Sequence, residues 1–146
     1  MQPEIRFANI LKAGHLEEIT SFLKDATEDF FSILDASKIR SLEQVFICFD
    51  RAMKLFRNTG KARKPESIFL MLLSGRNQIN KAQMEIGISE QSSNIIIVYS
   101  SKIDLDKFIV RTGNYLRISE NPGIPEIDAE SDQIIFSNMA RVQIDL

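Results

Sequence analysis

The sequence predicts a single α/β (α+β) domain, with a small mixed β-sheet packed against several helices. Short β-branched runs alternate along the chain with longer segments of helical periodicity. Hydrophobic residues make up 44% of the 146 residues and charged residues 26%, as in an ordinary globular domain. No segment repeats another, and no low-complexity tract marks a linker. We therefore expect residues 1–146 to form one domain.

Four segments have the composition or alternation of strands. Residues 94–100 read NIIIVYS, the richest β-branched run in the chain, so this segment is the predicted central strand. Residues 4–10 place Ile5 and Phe7 on one side and Glu4 and Arg6 on the other, which is typical of a half-buried strand. The remaining predicted strands are residues 29–35, an apolar run between acidic residues, and residues 115–118.

The clearest predicted helix begins after Ser41. Ser41 and Gln44 have the spacing of a capping box, and apolar residues then recur at helical spacing as far as Phe56. Pro65 suits the first turn of the next helix, whose apolar run ends at Gly75. Further helices are predicted over residues 16–23, after Gly75 as far as Gly87, from Asp104 to Gly113, and from Asp128 to Leu146.

The residues that most often carry catalysis or bind metals are scarce. The single cysteine, Cys48, cannot form an internal disulfide, and together with the single histidine, His15, it gives no zinc site. Cys48 is expected to be a small buried hydrophobic residue because it widens the apolar face of its helix. No carboxylate pair, nucleophile elbow or Walker loop is present, so we expect no catalytic residue, no metal, no cofactor and no small-molecule substrate.

Nothing in the sequence predicts a membrane segment. The longest apolar run is Ile68 to Leu73, far shorter than the ~20 residues that span a bilayer. The first ten residues have neither the basic region nor the apolar stretch of a signal peptide. A soluble cytoplasmic protein is therefore expected.

The charged residues are distributed unevenly. Between Arg51 and Lys81 there are eight basic residues and one acid, Glu66, a net charge of +7. The other residues carry ten basic and nineteen acidic groups, a net charge of −9. This division suggests a basic surface for an anionic partner, although a run of charge is more often simply a solvated surface.

The basic residues flank the apolar run, and amides accompany them. We expect the run to lie in the core and to hold both flanks on the same side of the domain, where they would present basic and amide groups. A helix start flanked by arginine and amides is a plausible anion site, although ordinary helix capping and solvation would explain the same residues. The candidate binding residues are Lys61, Arg63 and Lys64 before the run, and Arg76, Asn77, Gln78 and Lys81 after it.

The order of elements and one stretch of sequence resemble a known family. The motifs LLSGRNQINKA, MEIGI and NIIIVY resemble the smallest kinase-binding subunit of the KEOPS complex, the PRPK-binding protein family. The resemblance covers most of the chain and is specific between residues 68 and 99. The residues that carry it are Leu72-Leu73-Ser74-Gly75, Gln78-Ile79, Ala82 and Gly87-Ile88.

The resemblance implies a non-catalytic role in making threonylcarbamoyl-adenosine in tRNA. Members of the family bind a small atypical kinase/ATPase of the complex and help capture tRNA through its single-stranded 3′ end. Basic side chains would then contact phosphates, and amides would contact exposed bases. The surface that meets the kinase cannot be derived from the residues.

Two other functions stay open at this point. One is a protein-interaction adaptor of a kinase that does not bind RNA, in which the apolar helix is partly exposed and forms the interface. The other is an enzyme, for which the only candidate side chain is His15; the preceding Gly14 makes a turn followed by a helix start the simpler interpretation.

Overall fold

The structure is a computed structural model that describes residues 2–11, 19, 29–59, 64–113, 115–128, 130, 133 and 137. The chain divides into two compact units. The helical unit comprises residues 1–2, 38–87 and 124–146, and the sheet unit comprises residues 3–37 and 88–123. The described residues form four α-helices and four β-strands, as the predicted α+β class requires. That residues 1–146 form one domain stays a prediction.

The sheet unit contains a four-stranded antiparallel sheet. Its strands are β1 (Glu4–Ile10), β2 (Phe31–Asp35), β3 (Asn94–Tyr99) and β4 (Leu116–Ser119), in the order β2-β3-β1-β4. All three pairings are antiparallel, with Phe7 opposite Ile96 and Ile33 opposite Ile97. The run predicted to be the central strand lies between two neighbours, and five of its six residues are buried. A 3₁₀ turn, Ala36–Lys38, follows β2.

The core of the sheet unit is built on one face of this sheet. Ile33 and Ile97 lie side by side on it and are 4% and 0% exposed. The same face packs against a helix, Leu105–Thr112, through a T-shaped contact between the rings of Phe31 and Phe108, whose centroids are 5.3 Å apart. Asp104 caps this helix by accepting a hydrogen bond from the backbone N–H of Asp106, as its position in the sequence predicted.

A buried carboxylate ties the end of β2 to a loop of the same unit. Asp35 Oδ1 accepts hydrogen bonds from the backbone N–H and the hydroxyl of Ser37, at 2.9 and 2.7 Å. Its Oδ2 accepts a hydrogen bond from the hydroxyl of Ser92 at 2.8 Å. Three donors thus replace the water that the carboxylate gives up, which is what allows it to be only 7% exposed.

The helical unit begins with helix α1 (Leu42–Thr59). Its N-terminus is fully engaged within the unit: the backbone N–H groups of Leu42 and Glu43 donate to the carbonyls of Pro125 and Glu126, and that of Gln44 donates to the Ser41 hydroxyl. The predicted capping role of Ser41 is confirmed. Because these first N–H groups have partners, this end of α1 offers little to an external anion.

Two shorter helices follow in the same unit. Helix α2 spans Pro65–Ser74 and ends at Gly75, whose φ of 74° is left-handed and favours glycine. Helix α3 spans Ile79–Ile86 and buries Ala82 and Ile86, two members of the apolar stripe predicted for it. The helix of the sheet unit, Leu105–Thr112, is α4.

The predicted strands and four of the predicted helices are confirmed with small changes at their ends. Strand β1 has the predicted bounds, β2 begins two residues later than predicted, β3 ends one residue earlier, and β4 is shifted by one residue. The predicted helix over residues 16–23 lies outside the described residues except for Ile19, which is 1% exposed in the core of the sheet unit. The predicted helix from Asp128 to Leu146 also lies almost wholly outside them.

Candidate functional site

The predicted RNA-binding residues belong to the helical unit. Lys61 and Arg63 lie outside the described residues, so their place in a site stays a prediction. The other five side chains are all exposed, as a binding role requires. Lys64 is the N-cap of α2, Lys81 lies in the first turn of α3, and Arg76, Asn77 and Gln78 belong to the connection between the two helices.

Helix α2 is buried along its apolar run. Ile68, Phe69 and Met71 are completely buried, and Leu70, Leu72 and Leu73 are 7%, 2% and 6% exposed. The expectation that this run lies in the core is confirmed, and the alternative that the helix is partly exposed is wrong. A helix that is apolar nearly all round is stabilised when the rest of the protein covers every side of it. The buried run of α2 therefore has no apolar face left for a partner.

The two flanks of the apolar run lie at opposite ends of α2. Lys64 precedes the first residue of the helix, and Arg76 follows the glycine that ends it. Ten residues at ~1.5 Å per residue separate these ends by about 15 Å. The candidate residues thus form two groups, with Lys64 in one and Arg76 to Lys81 in the other.

Arg76 is not an isolated cation. Its Nε donates a hydrogen bond to Glu85 Oε2, and the two side chains are 54% and 42% exposed. Glu85 lies near the C-terminal end of α3, so the pair joins the connection before the helix to its last turn. The paired carboxylate offsets part of the charge that Arg76 would offer to a phosphate, and water weakens the pair because both side chains are about half exposed.

Other basic side chains of the helical unit differ in whether they are paired with an acceptor of the same chain. Lys54 is paired with Asp50 at 3.0 Å, and Arg57 Nε donates to the carbonyl of Met53 at 3.3 Å. Within the described part of the chain, Lys64 and Lys81 have no ion-pair partner. These two lysines are therefore the described candidate residues whose charge is most available to an anion.

The two candidate amides are both exposed. Gln78 is the N-cap of α3, and its side chain makes no capping hydrogen bond. Its backbone carbonyl accepts the N–H of Ala82 at 3.0 Å, which fixes the main chain while the amide group stays in solvent. An exposed amide on a fixed main chain can both donate to and accept from the edge of an unpaired base.

The described residues give little support to metal or thiol chemistry. They contain no group of three His, Cys, Asp or Glu side chains that could hold a metal ion. Cys48 is completely buried, as predicted, and burial raises the pKa of its thiol to about 12. His15, the only histidine, lies outside the described residues. None of the described helices is both long and apolar enough to span a bilayer.

A family model described as kinase binding protein CGI-121 matches residues 7–120. The chain belongs to this family. The match starts within β1 and ends just after β4, so it includes every candidate binding residue and all of the described helices and strands except the first three residues of β1. The family is described by its binding to a kinase. None of the curated proteins compared with the chain matches it.

The acidic partners of the basic segment were not predicted from the sequence. Asp50 precedes the segment by one residue and Glu85 follows it by four, so neither was counted in its net charge. The spacing of Asp50 and Lys54, four residues apart on a predicted helix, was sufficient to predict their pair. No such rule predicts the pair of Arg76 and Glu85, because nine residues and a turn separate them.

Proposed function

We propose that the chain is a non-catalytic subunit of the KEOPS complex, which makes threonylcarbamoyl-adenosine (t6A) in tRNA. In this role it binds and activates the small atypical kinase/ATPase subunit and helps to recruit tRNA through its 3′ end. It acts in the cytoplasm and needs no cofactor of its own. Membership of a kinase-binding family supports the first task, and the exposed basic and amide groups of the helical unit support the second.

The main support for tRNA binding is a lysine that has no ion-pair partner among the described residues and lies near exposed amide groups. Lys81 has no ion-pair partner among the described residues and lies three positions after the exposed amide of Gln78. Lysine contacts to phosphates give affinity without reading sequence, and amides contact the edges of unpaired bases. A single-stranded 3′ end offers both groups to the same surface.

The separation of the two basic groups supports a particular length for the bound RNA. At ~3.4 Å per stacked nucleotide, the ~15 Å between the ends of α2 corresponds to about four nucleotides. A single-stranded end of this size is long enough to contact both groups, the residues from Arg76 to Lys81 at one end and Lys64 at the other. Lys64 then contacts a phosphate at one end of the strand.

Shortening the tRNA tests this function. The full-length chain is titrated with an intact tRNA and with the same tRNA lacking its single-stranded 3′ nucleotides. We expect at least tenfold weaker binding of the shortened tRNA, because it lacks both the exposed bases and several of the contacted phosphates. Equal affinity for the two RNAs would refute recruitment through the 3′ end.

One observation favours the alternative, a protein-interaction adaptor of a kinase that does not itself bind RNA. Two basic side chains of the segment, Lys54 and Arg76, already have acidic partners, so the net charge of +7 overstates what the surface offers. Titrating the chain with the kinase alone and with tRNA alone separates the two functions. Binding to the kinase combined with no binding to tRNA at low salt supports the alternative.

A further inference from the structure

An open pocket of about 420 Å³ lies in the sheet unit. It is formed where the start of β1, the end of β3 and the first turns of α4 meet. Its charged groups are the carboxylates of Glu4, Asp104 and Asp106 and the guanidinium of Arg6, which give a formal charge of −2. None of these residues belongs to the set proposed to bind tRNA.

Tyr99 lines this pocket. The residue is 6% exposed and belongs to the core of the sheet unit, so its ring is held in one position. It lines the pocket, and its hydroxyl has no hydrogen-bond partner among the described residues. Burial raises the pKa of Tyr99; the Arg6 guanidinium opposes this change, and the carboxylates of Glu4 and Asp106 add to it. The neutral hydroxyl is therefore a fixed group with an open acceptor site.

The acidic groups around Tyr99 are only partly used within the chain. Asp104 Oδ1 accepts the backbone N–H of Asp106 at 3.1 Å, a cap that holds the Asp104 carboxylate in place. Arg6 donates through Nη1 to the carbonyl of Ile5 at 3.2 Å. In the described part of the chain neither Glu4 nor Asp106 has an ion-pair partner. The negative charge of the pocket is thus left largely uncompensated.

Aliphatic side chains form the rest of the lining. Ile103 and Leu105 pack against the core of the sheet unit, and Ile109 lies one turn further along α4. Apolar walls beside a charged rim suit a ligand that has an apolar stem and a charged head. The volume lies within the range of small-molecule sites and exceeds what one cationic side chain fills.

We propose that this pocket binds an organic cation, an ammonium or guanidinium group on an aliphatic stem, as in a lysine or arginine side chain. The head lies among the carboxylates of Glu4 and Asp106 and donates a hydrogen bond to the Tyr99 hydroxyl, while the stem packs on the aliphatic wall. Arg6 opposes binding through its own positive charge. The proposal does not depend on the function proposed above, because it uses other residues of another unit.

Binding is measured by NMR titration of the full-length chain at 150 mM salt, following the backbone amides of Tyr99 and of the first turn of α4. The two probes are free arginine and an end-blocked Gly-Arg-Gly peptide. Saturable shifts at these amides are expected. Binding of the peptide as well as the free amino acid identifies a protein side chain as a ligand, and binding of free arginine alone identifies a small cation.

Four variants make the test specific. Glu4→Gln and Asp106→Asn are each expected to weaken binding about threefold, the size of an exposed charge pair, whereas Arg6→Gln is expected to tighten it about threefold. Glu90→Gln removes an exposed acid outside the pocket and is the matched control, with no expected change. Tyr99→Phe keeps the buried ring, so it is expected to weaken binding without lowering stability.

Two results would overturn the proposal. One is the absence of a saturable shift with either probe in a folded wild-type chain. The other is equal affinity of wild type, Glu4→Gln, Asp106→Asn and Arg6→Gln, since a site that ignores all three charges does not recognise a cation electrostatically. Folding of each variant is checked from its spectrum before titration, so loss of structure is not mistaken for loss of binding.

Discussion

Helices α2 and α3 are consecutive, belong to the same unit and are joined by residues 75–78, yet they bury very different fractions of their side chains. Helix α2 buries six residues in succession, from Ile68 to Leu73. Helix α3 buries only Ala82 and Ile86, and Met84 is 85% exposed. The side chains of α2 therefore lie mostly in the core, whereas α3 and the residues that precede it expose most of theirs, including groups that we propose bind tRNA.

The largest expected difference between a buried and an exposed helix position is in the reactivity of a cysteine thiol. Cys48 of α1 is completely buried with a thiol pKa of about 12, so almost none of it is thiolate at pH 8. A cysteine introduced by Met84→Cys on α3 is expected to keep a pKa of about 8.5 and to react about a thousandfold faster with a thiol reagent. The rates are measured on the folded chain, with urea-unfolded chain as the control. Equal rates for the two thiols in the folded chain would contradict the burial of Cys48.

The next contrast is one of stability. Phe69→Ala on α2 is expected to lower the free energy of unfolding by about 3–5 kcal/mol, because it leaves a cavity around a completely buried ring. Met84→Ala on α3 is the matched control and is expected to change it by less than about 0.5 kcal/mol. Urea denaturation measures both values. Similar losses in the two variants would show that α2 and α3 do not differ as described.

A smaller effect on the free energy of unfolding is expected from a substitution in the connection between the two helices. Gly75 ends α2 with a φ of 74°, a conformation that costs other residues about 1–2 kcal/mol. Gly75→Ala is expected to lose roughly that amount, and Gly75→Asn less, since asparagine tolerates the left-handed conformation better. Urea denaturation of both variants provides the comparison. A neutral Gly75→Ala substitution would mean that the connection adopts another conformation in solution.

The smallest expected effect is on tRNA affinity and comes from the exposed ion pair between Arg76 and Glu85. Glu85→Gln releases Arg76 from its partner and is expected to tighten tRNA binding about threefold at low salt. Arg76→Gln is expected to change binding little, because the paired carboxylate already offsets part of the charge of Arg76. Glu90→Gln, which removes an exposed acid from the sheet unit, is the control and is expected to leave affinity unchanged. Unchanged binding in Glu85→Gln would remove Arg76 from the site.

Local patterns predicted most of the described elements. The run of β-branched residues after Asn94 predicted a central strand, and the capping spacing of Ser41 and Gln44 predicted the start of α1. Strand order was not predictable, because alternation identifies the faces of a strand but does not identify its neighbours. The pairing that places Glu4 of β1 opposite Tyr99 of β3 could therefore not be predicted from the sequence.

The candidate site was predicted less completely than the fold. The sequence indicated which residues were basic, and the structure shows that the described candidates among them are exposed. It could not indicate that Glu85 reaches back across α3 to Arg76, since that contact depends on the conformation of the connection. The pocket around Tyr99 was also not predictable, because Glu4 and Asp106 are about a hundred residues apart and meet only once β1 pairs with β3.

The most direct test of the proposed tRNA-binding surface is the salt dependence of tRNA binding by charge-reversed variants of its basic residues. Lys64→Glu and Lys81→Glu, together with Lys61→Glu and Arg63→Glu, are compared with Lys102→Glu, an exposed lysine of the sheet unit. Each phosphate contact that is lost should reduce the slope of log affinity against log salt by about 0.7. We expect a smaller slope and weaker binding in each of these four variants, and no change in Lys102→Glu. Wild-type affinity and an unchanged slope in all four variants would contradict it.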